Sequence, residues 1–468
     1  MKVKKESSRV VKPIYEGTPP PSTSSYIPLS VFDKVTYDNH MAVIYAYRPP
    51  TPPNAALEVG LRKALAVYRE WAGRLGKDDD GEPAVILLND KGVRFVEASV
   101  DSTLNSVMPF KPSTSLLALH PSLKGVEELL QVQLTRFTCG SMVVGFTANH
   151  LVADGQATSN FLVAWGQACR GLEIDPIPFH DRNIFSPRDP PRFEFQHKGA
   201  EFMSNKIKKG YPSVDNIIMD DIVVHKVHFS SEFLTKLKAK AGTKKGTNKS
   251  YSTFESLVAH LWRAVTKATS LGGLETTTVR ISVNGRSRLN PRVPMEYFGN
   301  LVLWAFPSAK AKDLIREPLS YAAKLIHDAV LKVNNNYFKS FIDFANYKAE
   351  EEALITTADA NKSAMFPNLE VDSWLRFPFY DVDFGGGCPY IFMPSYLPTE
   401  GTMFLLPSFF GDGSIDAFIP LFQENLASFK QIHRRNDNII RKSMMFLDAE
   451  KIEWCYQLCS VLLALYSA

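Results

Sequence analysis

A histidine and an aspartate lie four residues apart at the end of an apolar run, in the segment Ser141–Gly155. Residues 142–146 have the pattern of a short buried strand, and residues 156–170 have the spacing of a helix. His150 is therefore predicted at a strand-to-helix corner, where its ring nitrogen can take a proton from a nucleophile during acyl transfer. Asp154 can orient the loop or the imidazole ring.

The His-x-x-x-Asp spacing alone is a weak signal, because a chain with ten histidines gives on the order of one accidental match. His433 and Asp437 match as well, but they lie in a charged stretch that no apolar strand precedes. A histidine that merely ends a strand is therefore the alternative interpretation of His150.

The composition is that of a globular chain with room for two domains: 468 residues, 45% hydrophobic and 22% charged. A net charge of +4, with basic residues spread along the chain, gives no indication of nucleic-acid binding. The five cysteines have no disulfide framework and, apart from a loose pair in the tail, Cys455 and Cys459, no metal-site spacing. The amino terminus lacks the apolar stretch of a secretory signal. The apolar stretch 454–468 is shorter than the roughly 20 residues that span a bilayer. We therefore expect a cytoplasmic protein without a metal or a membrane partner.

Strands and helices are predicted on both sides of a proline-rich segment. Residues 54–75 have helical spacing and stop at Gly76, which predicts an amphipathic helix with a glycine cap. Further patterns predict strands at 42–47, 222–229 and 277–284, helices at 253–268 and 318–347 with a break at 334–336, and a hairpin around 411–413. This mixture has no regular βαβ alternation and favours an α+β fold.

The expected domain organisation follows from these elements. A first domain at 1–175, with a returning segment around 365–390, is followed by a crossover linker at 176–221. A second domain is expected at 222–430 and an atypical tail at 431–468.

Four segments resemble one family, the plant BAHD acyl-CoA-dependent acyltransferases. Residues 150–155 resemble its catalytic His-x-x-x-Asp-Gly motif, and residues 382–387 resemble its Asp-Phe-Gly-Trp-Gly motif, with Gly386 in place of the tryptophan. Residues 252–263 are similar to its coenzyme-side helix, and residues 284–300 to its second-domain signature. The resemblance extends to about Lys430, and the usually basic position after the second motif is Cys388, which could weaken local domain packing.

The resemblance implies two similar chloramphenicol-acetyltransferase-like domains with an active-site channel between them. Acyl-CoA, a co-substrate rather than a bound cofactor, would enter from one face and the acceptor from the other, and the family is usually monomeric. His150 would stand midway along the channel as a catalytic residue, and Asp154, also a catalytic candidate, would be mainly structural. The motif loop with Asp383, Phe384, Gly385 and Gly387 would shape the domain junction.

Two further segments, residues 339–346 and 370–376, resemble those of an amine-acylating subgroup of the family that uses agmatine. The family's proposed oxyanion donor is the indole of a Ser-Trp pair, which corresponds here to Ser373 and Trp374; a core tryptophan is the alternative. Glu370 and Asp372 alternate along a predicted strand and project to one face, which suits a cationic acceptor. With Ser373 they are the candidate substrate-binding residues; exposed acids without a ligand are the alternative.

On the coenzyme side, Ser252 and Thr253 correspond to residues near the pantetheine or phosphate of CoA. Six lysines precede them in a stretch predicted as a loop, which is either simply solvated or attracts the 3′-phosphate: Lys236, Lys238, Lys240, Lys244, Lys245 and Lys249. Ser252 and Glu255 also match a helix capping box, and both roles can coexist.

The expected reaction is attack of an amine such as agmatine on a hydroxycinnamoyl-CoA thioester, with His150 as general base. Other acceptors (tryptamine, tyramine, putrescine), a benzoyl donor, O-acylation of an alcohol and an inactive binding paralogue stay open. A kinase is excluded, because the glycine-rich loop, strand lysine and His-Arg-Asp loop do not appear in order. A peptide-synthetase condensation domain would have a second histidine where this chain has Asn149.

Overall fold

The structure, a computed structural model, describes residues 1–17, 20–77, 81, 83–204, 221–242, 250–359 and 367–436. The helices are α1 (Val31–Lys34), α2 (Asn54–Val67), α3 (Leu104–Val107), α4 (Gly155–Cys169), α5 (Ser231–Ala241), α6 (Thr253–Ala268), α7 (Ala311–Arg316), α8 (Leu319–Lys332), α9 (Asn335–Glu351) and α10 (Gln423–Asn436). The strands are β1 (Lys4–Val11), β2 (Tyr26–Pro28), β3 (His40–Tyr47), β4 (Arg74–Lys77), β5 (Pro83–Leu87), β6 (Val93–Val100), β7 (Leu130–Phe137), β8 (Met142–Asn149), β9 (Phe202–Ser204), β10 (Ile222–Phe229), β11 (Thr276–Asn284), β12 (Val302–Ala305), β13 (Ser308–Lys310), β14 (Leu354–Thr356), β15 (Leu369–Ser373), β16 (Ile391–Pro394), β17 (Thr402–Pro407) and β18 (Ile415–Phe422).

The first domain is built on a six-stranded mixed sheet in the order β1-β6-β7-β8-β3-β16. Strand β8 lies inside this sheet, and all eight of its residues are buried, as expected for an uninterrupted apolar run. Helices α2 and α4 cover the sheet with apolar residues at helical spacing, among them Leu57, Leu61, Phe161 and Trp165. The strand that ends at the catalytic candidate is therefore held firmly in a core.

The second domain has a seven-stranded sheet in the order β10-β18-β17-β15-β11-β12, with β13 also paired to β11. Its odd-numbered residues on β11 and β15, such as Ile281 and Val371, join the core formed with α6 and α8. On β17 and β18 the opposite face carries Phe404, Leu406 and Phe418, which join the core of the first domain. Side chains on this second face therefore meet the first domain.

Several elements agree with the sequence patterns. Strand β10 and helix α6 have the predicted bounds, and the predicted break near Asn334 separates α8 from α9. The hairpin is present, since β17 pairs antiparallel with β18 and the Asp412 side chain accepts the Ser414 N–H at 2.9 Å across the turn. The α+β fold class is confirmed.

The long helix predicted at 54–75 was wrong in its second half. Helix α2 ends at Val67, a short 3₁₀ turn at Arg69–Ala72 follows, and Leu75 and Gly76 lie in strand β4. The turn buries Trp71 completely, and β4 then pairs with β5. Burial of a large aromatic ring and strand pairing together override the helical spacing.

The chain crosses back to the first sheet near its carboxyl end. Strand β15 pairs with β11 and β17 in the second sheet, so the return begins after Ser373 and not near residue 365. The segment then adds β16 beside β3.

The lysine-rich stretch is only partly a loop. Lys236, Lys238 and Lys240 lie on α5, whereas Lys244, Lys245 and Lys249 lie outside the described residues. The tail beyond Asn436 is outside them as well, and α10 spans its first residues.

The loop around Asp383 is fixed to the first domain. Asp383 Oδ1 accepts the N–H groups of Gly385 and Gly387 at 2.7 and 2.9 Å, and the Phe384 ring packs edge-on against Trp165 at 4.6 Å. Gly386 lies against a backbone carbonyl, since a Cβ there would be 2.1 Å from the oxygen of Pro50. Gly386, which departs from the family motif, is thus required to be glycine here by its close approach to the Pro50 backbone.

Gly386→Ala is expected to lower the free energy of unfolding by about 1–3 kcal/mol, because the backbone of Pro50 has to move. Gly273→Ala is the matched control, since its new Cβ would meet Lys312 at an ordinary 3.5 Å. Chemical denaturation of both variants measures the difference. Equal stability of the two would show that the loop tolerates a side chain.

Candidate active site

His150 follows directly after β8 and is fixed by its backbone. Its N–H donates to the carbonyl of Asn39 at 2.9 Å, and its carbonyl accepts from Asn300 Nδ2 at 2.9 Å. The ring atom Nδ1 is buried and has no hydrogen-bond partner in the part of the chain described. The site therefore positions the imidazole through the main chain and leaves Nε2 as the nitrogen that a substrate can reach.

The carboxylate of Asp154 is fully engaged elsewhere. It caps α4 by accepting the Ala157 N–H at 2.9 Å, and it accepts the Leu301 N–H at 3.0 Å. Arg286 donates to both of its oxygens, at 2.7 and 3.1 Å. Among the described contacts none joins Asp154 to the His150 ring, so Asp154 orients the loop and not the imidazole. Its place among the catalytic candidates is corrected accordingly: it is a positioning residue.

Arg286 joins the two domains at this point. It lies after β11 in the second domain, its side chain is completely buried, and it also donates to the carbonyls of Tyr297 and Gly299, at 2.9 and 3.2 Å. A buried guanidinium needs such acceptors, because an unpaired charge in the interior is costly; here Nη1 and Nη2 have them, and Nε has none among the described residues. We call the pair Asp154–Arg286 the domain clamp.

A second buried carboxylate supports the same corner. Asp33, in α1, accepts from Arg182 at 2.5 Å and from the N–H and Nδ2 of Asn300 at 3.0 and 2.9 Å. Asn300 in turn holds the carbonyls of His150 and Leu151. The sequence analysis assigned no role to Asp33 or Arg182, because neither stands in a recognisable motif.

The acidic pair lies on β15, on the face that meets the first domain. Glu370 is buried, and it accepts from the hydroxyl of Tyr37 at 3.2 Å. Asp372 is partly buried, and it accepts from Ser282 Oγ at 2.5 Å. The alternative of an exposed acidic strand was therefore wrong.

A cation that the sequence analysis missed stands beside this pair. Arg280 lies opposite Glu370 in the parallel pairing of β11 with β15, and its Nη1 is 3.6 Å from Glu370 Oε2. Nη1 also donates to the Tyr37 oxygen at 2.6 Å. Alternation along β11 could have placed Arg280 on one face, but its neighbour comes from a strand some ninety residues later.

The surroundings of Asp372 and Tyr37 shift the pKa of both groups. Burial raises the pKa of Asp372 to about 7, with Glu370 adding to the shift and the hydrogen bond from Ser282 opposing it. Burial also raises the pKa of Tyr37, so its hydroxyl stays protonated and can donate. Asp372 is thus a carboxyl group whose charge responds to pH near neutrality.

Trp374 and Ser373 follow the pair. The Trp374 ring packs against Phe404, Phe379 and Phe392 with ring centroids 4.9, 5.5 and 5.8 Å apart, on the side of the first domain. No acceptor for its indole N–H is found among the described residues, and its role as oxyanion donor stays a prediction. Ser373, one residue from Asp372 along the strand, belongs to the opposite face by alternation.

Ser252 and Thr253 stand at the start of α6. Ser252 Oγ accepts the Glu255 N–H at 3.1 Å and Glu255 Oε2 accepts the Ser252 N–H at 2.6 Å, so the predicted capping box is present. His327 also contacts Glu255 at 2.8 Å. Their contact with CoA stays a prediction.

Two further kinds of feature are absent from the described ranges. No group of three or more histidine, cysteine, aspartate or glutamate residues there is arranged to hold a metal ion. No helix there has the length and apolar character needed to cross a membrane.

Comparison with known proteins places the chain among acyltransferases. The sequence model of the Transferase family matches residues 1–435. Agmatine hydroxycinnamoyltransferase 1 of Oryza sativa subsp. japonica and agmatine coumaroyltransferase-1 of Hordeum vulgare are each 53% identical, and each match covers 92% of this chain and 98% of the relative. Putrescine hydroxycinnamoyltransferase of Oryza sativa subsp. japonica is 50% identical, over 92% of this chain and 99% of its own.

Solved structures agree in fold. Vinorine synthase superposes with a TM-score of 0.68 at 23% identity, over 91% of this chain and 96% of its own. TRI101 of F. sporotrichioides, solved with coenzyme A and T-2, has a TM-score of 0.72 at 17% identity, over 87% of this chain and 97% of its own.

The family model and the acyltransferase relatives at 53% identity, together with two α+β domains and a histidine at a strand-to-helix corner, make this chain an acyl-CoA-dependent acyltransferase. The chain belongs to the Transferase (BAHD) family.

Removal of the Asp154 carboxylate is expected to destabilise the protein by about 3–5 kcal/mol, because Arg286 is left buried and unpaired. Arg286→Ala should cost a comparable amount for the reciprocal reason. Asp101→Ala, at an exposed position, is the control and should stay within about 0.5 kcal/mol of the parent. Urea denaturation measures all three, and an Asp154→Ala variant as stable as the control would contradict the clamp.

Proposed function

We propose that this protein transfers a hydroxycinnamoyl group from its CoA thioester to the primary amine of agmatine. The observation that carries the proposal is the acidic pair on the inter-domain face, in which Glu370 is buried and Asp372 is partly buried. The names of the relatives at 50–53% identity support the same donor and acceptor classes.

A short loop connects the acidic pair to the histidine. Tyr37 contacts Glu370 and Arg280, and Asn39, two residues later, holds the backbone N–H of His150. The Cα atoms of Tyr37 and Asn39 are at most about 7 Å apart, since an extended chain spans about 3.6 Å per residue. An acceptor with a cation at one end and an amine at the other fits a site that has the acidic pair at one end and His150 at the other.

The chemistry at His150 is proton transfer. Nε2 removes a proton from the neutral amine as its nitrogen attacks the thioester carbon, and the carbonyl electrons move to the oxygen. Collapse of this tetrahedral intermediate restores the carbonyl and breaks the carbon–sulfur bond. The leaving thiolate takes the proton from His150, so the products are an amide and free CoA. Trp374 is the proposed donor to the oxyanion.

The other end of agmatine is a guanidinium, which stays charged at any relevant pH. Asp372 is the more accessible carboxylate of the pair and can accept two N–H groups from this planar cation. Putrescine is the second candidate acceptor, because its ammonium group suits the same carboxylate and a putrescine-acylating relative is 50% identical. A monomer in the cytoplasm stays our expectation.

His150→Gln is expected to lower kcat for p-coumaroyl-CoA and agmatine by about 10²–10⁴-fold, because the general base is lost. His228→Gln, on the outer strand β10 of the second sheet, is the matched control and should keep the parental rate. Thiol release measures turnover, with putrescine, tryptamine, tyramine and shikimate run in parallel. Undiminished turnover in His150→Gln, or shikimate as the best acceptor, would overturn the proposal.

Binding of the guanidinium is expected to strengthen from pH 6 to pH 8. Burial holds the pKa of Asp372 near 7, so the carboxyl group is mostly neutral below that pH and charged above it. Butylguanidine, which has the cation but no amine to acylate, is the probe, and calorimetry in the His150→Gln background removes any contribution of the imidazole. Asp372→Asn should flatten the dependence; a parental Kd that is equal at pH 6 and pH 8 would contradict it.

A further inference from the structure

We infer that Arg280 is a built-in counter-ion that limits the acceptor tail to a single positive charge. The inference rests on the proposed function and deepens it, since it concerns which amines the same site accepts. Arg280 would thus be a specificity-determining residue, although it stands outside the motifs identified in the sequence.

The position of Arg280 is unusual for a positive charge. It is only 8% exposed, it lies on the inter-domain face of β11, and its guanidinium carbon is 3.8 Å from the ring centroid of Trp304. Nη1 contacts Tyr37 and Glu370, whereas Nε and Nη2 are buried without a hydrogen-bond partner in the described chain. The structural arginines Arg182 and Arg286 leave only Nε without a partner among the described residues, whereas Arg280 leaves Nη2 unpaired as well, and each unpaired buried donor costs free energy.

The charges of Arg280, Glu370 and Asp372 together set how much positive charge the acceptor tail can carry. Arg280 compensates one of the two carboxylates, Glu370, whose Oε2 lies 3.6 Å from Nη1. Asp372 instead accepts from Ser282. When both carboxyl groups are ionised, a single negative charge is left, and it belongs to the more accessible Asp372. In a site shielded from water, an acceptor tail with one positive charge brings the net charge of these groups to zero. A neutral tail leaves one negative charge uncompensated, and a tail with two positive charges leaves one positive charge in excess.

Two other carboxylates near these residues already have partners of their own. Asp38 follows Tyr37, but it is exposed, so solvent screens it, and it accepts from Asn149 Nδ2 at 3.0 Å. Glu201 is buried, and its carboxylate is already held by His197 at 3.0 Å and by the Tyr337 hydroxyl at 2.7 Å.

Agmatine carries the single positive charge that the site requires, because only its guanidinium is charged once the reacting amine is neutral. Spermidine that reacts through one terminal amine keeps two further ammonium groups, which is one positive charge too many. Tyramine has a neutral tail and lacks the required charge. These three acceptors therefore report the charge that the site requires.

The test compares ratios of kcat/KM for these acceptors in Arg280→Gln and Arg280→Lys. Without the guanidinium the site gains one net negative charge, so Arg280→Gln should raise the spermidine-to-agmatine ratio by at least about tenfold. Arg280→Lys keeps the charge and should keep the parental ratio. Arg292→Gln, an exposed arginine elsewhere in the second domain, is the control. Both acceptors are measured on one preparation, so a loss of folded enzyme does not alter the ratio.

Glu370→Gln provides a test in the opposite direction that leaves Arg280 intact. It removes the charge that Arg280 compensates, so the tyramine-to-agmatine ratio should rise. Ratios that stay parental in both Arg280→Gln and Glu370→Gln would overturn the inference and leave Arg280 a structural residue. Failure of the parental enzyme to use agmatine at all would instead overturn the proposed function.

Discussion

The bidentate pair between Asp154 and Arg286 is the contact on which the arrangement of this site depends. It joins the first turn of α4 to the segment after β11, so it fixes one domain against the other beside His150. Both side chains are buried, and each is the main counter-charge of the other. Separation of the domains would leave the charges of Asp154 and Arg286 without their partners, which costs free energy. The corner that holds His150 therefore has a single favourable geometry.

The His-x-x-x-Asp spacing suggests that the aspartate orients the histidine, but in this structure the two residues have separate roles. In a serine-protease triad the aspartate holds the imidazole ring itself. Here the aspartate holds the domains, and the imidazole is placed by backbone contacts from Asn39 and Asn300. The ring atom Nδ1 is left enclosed, which directs Nε2 to the substrate. A fixed main chain is sufficient for this purpose because the side chain has few rotamers inside a packed wall.

Local sequence patterns predicted much of this structure. The apolar run of β8, the capping box at Ser252 and the glycine turn of the last hairpin are set by residues within a few positions of one another. The pairs that define the site are different in kind. Arg280 and Glu370 are about 90 residues apart in the chain, and Arg286 and Asp154 are 132 apart, so no periodicity signals either pair. The helix that was predicted past Val67 failed for a related reason, since the burial of Trp71 depends on partners elsewhere in the fold.

The central claim is that agmatine lies with its guanidinium at the acidic pair and its amine nitrogen at His150. A crystal structure of the enzyme with its product, N-coumaroylagmatine, tests this most directly. The account predicts guanidinium nitrogens within about 3 Å of Asp372 and the amide nitrogen facing His150 Nε2. A product bound in the reverse direction, or a guanidinium that contacts neither Asp372 nor Glu370, would contradict it.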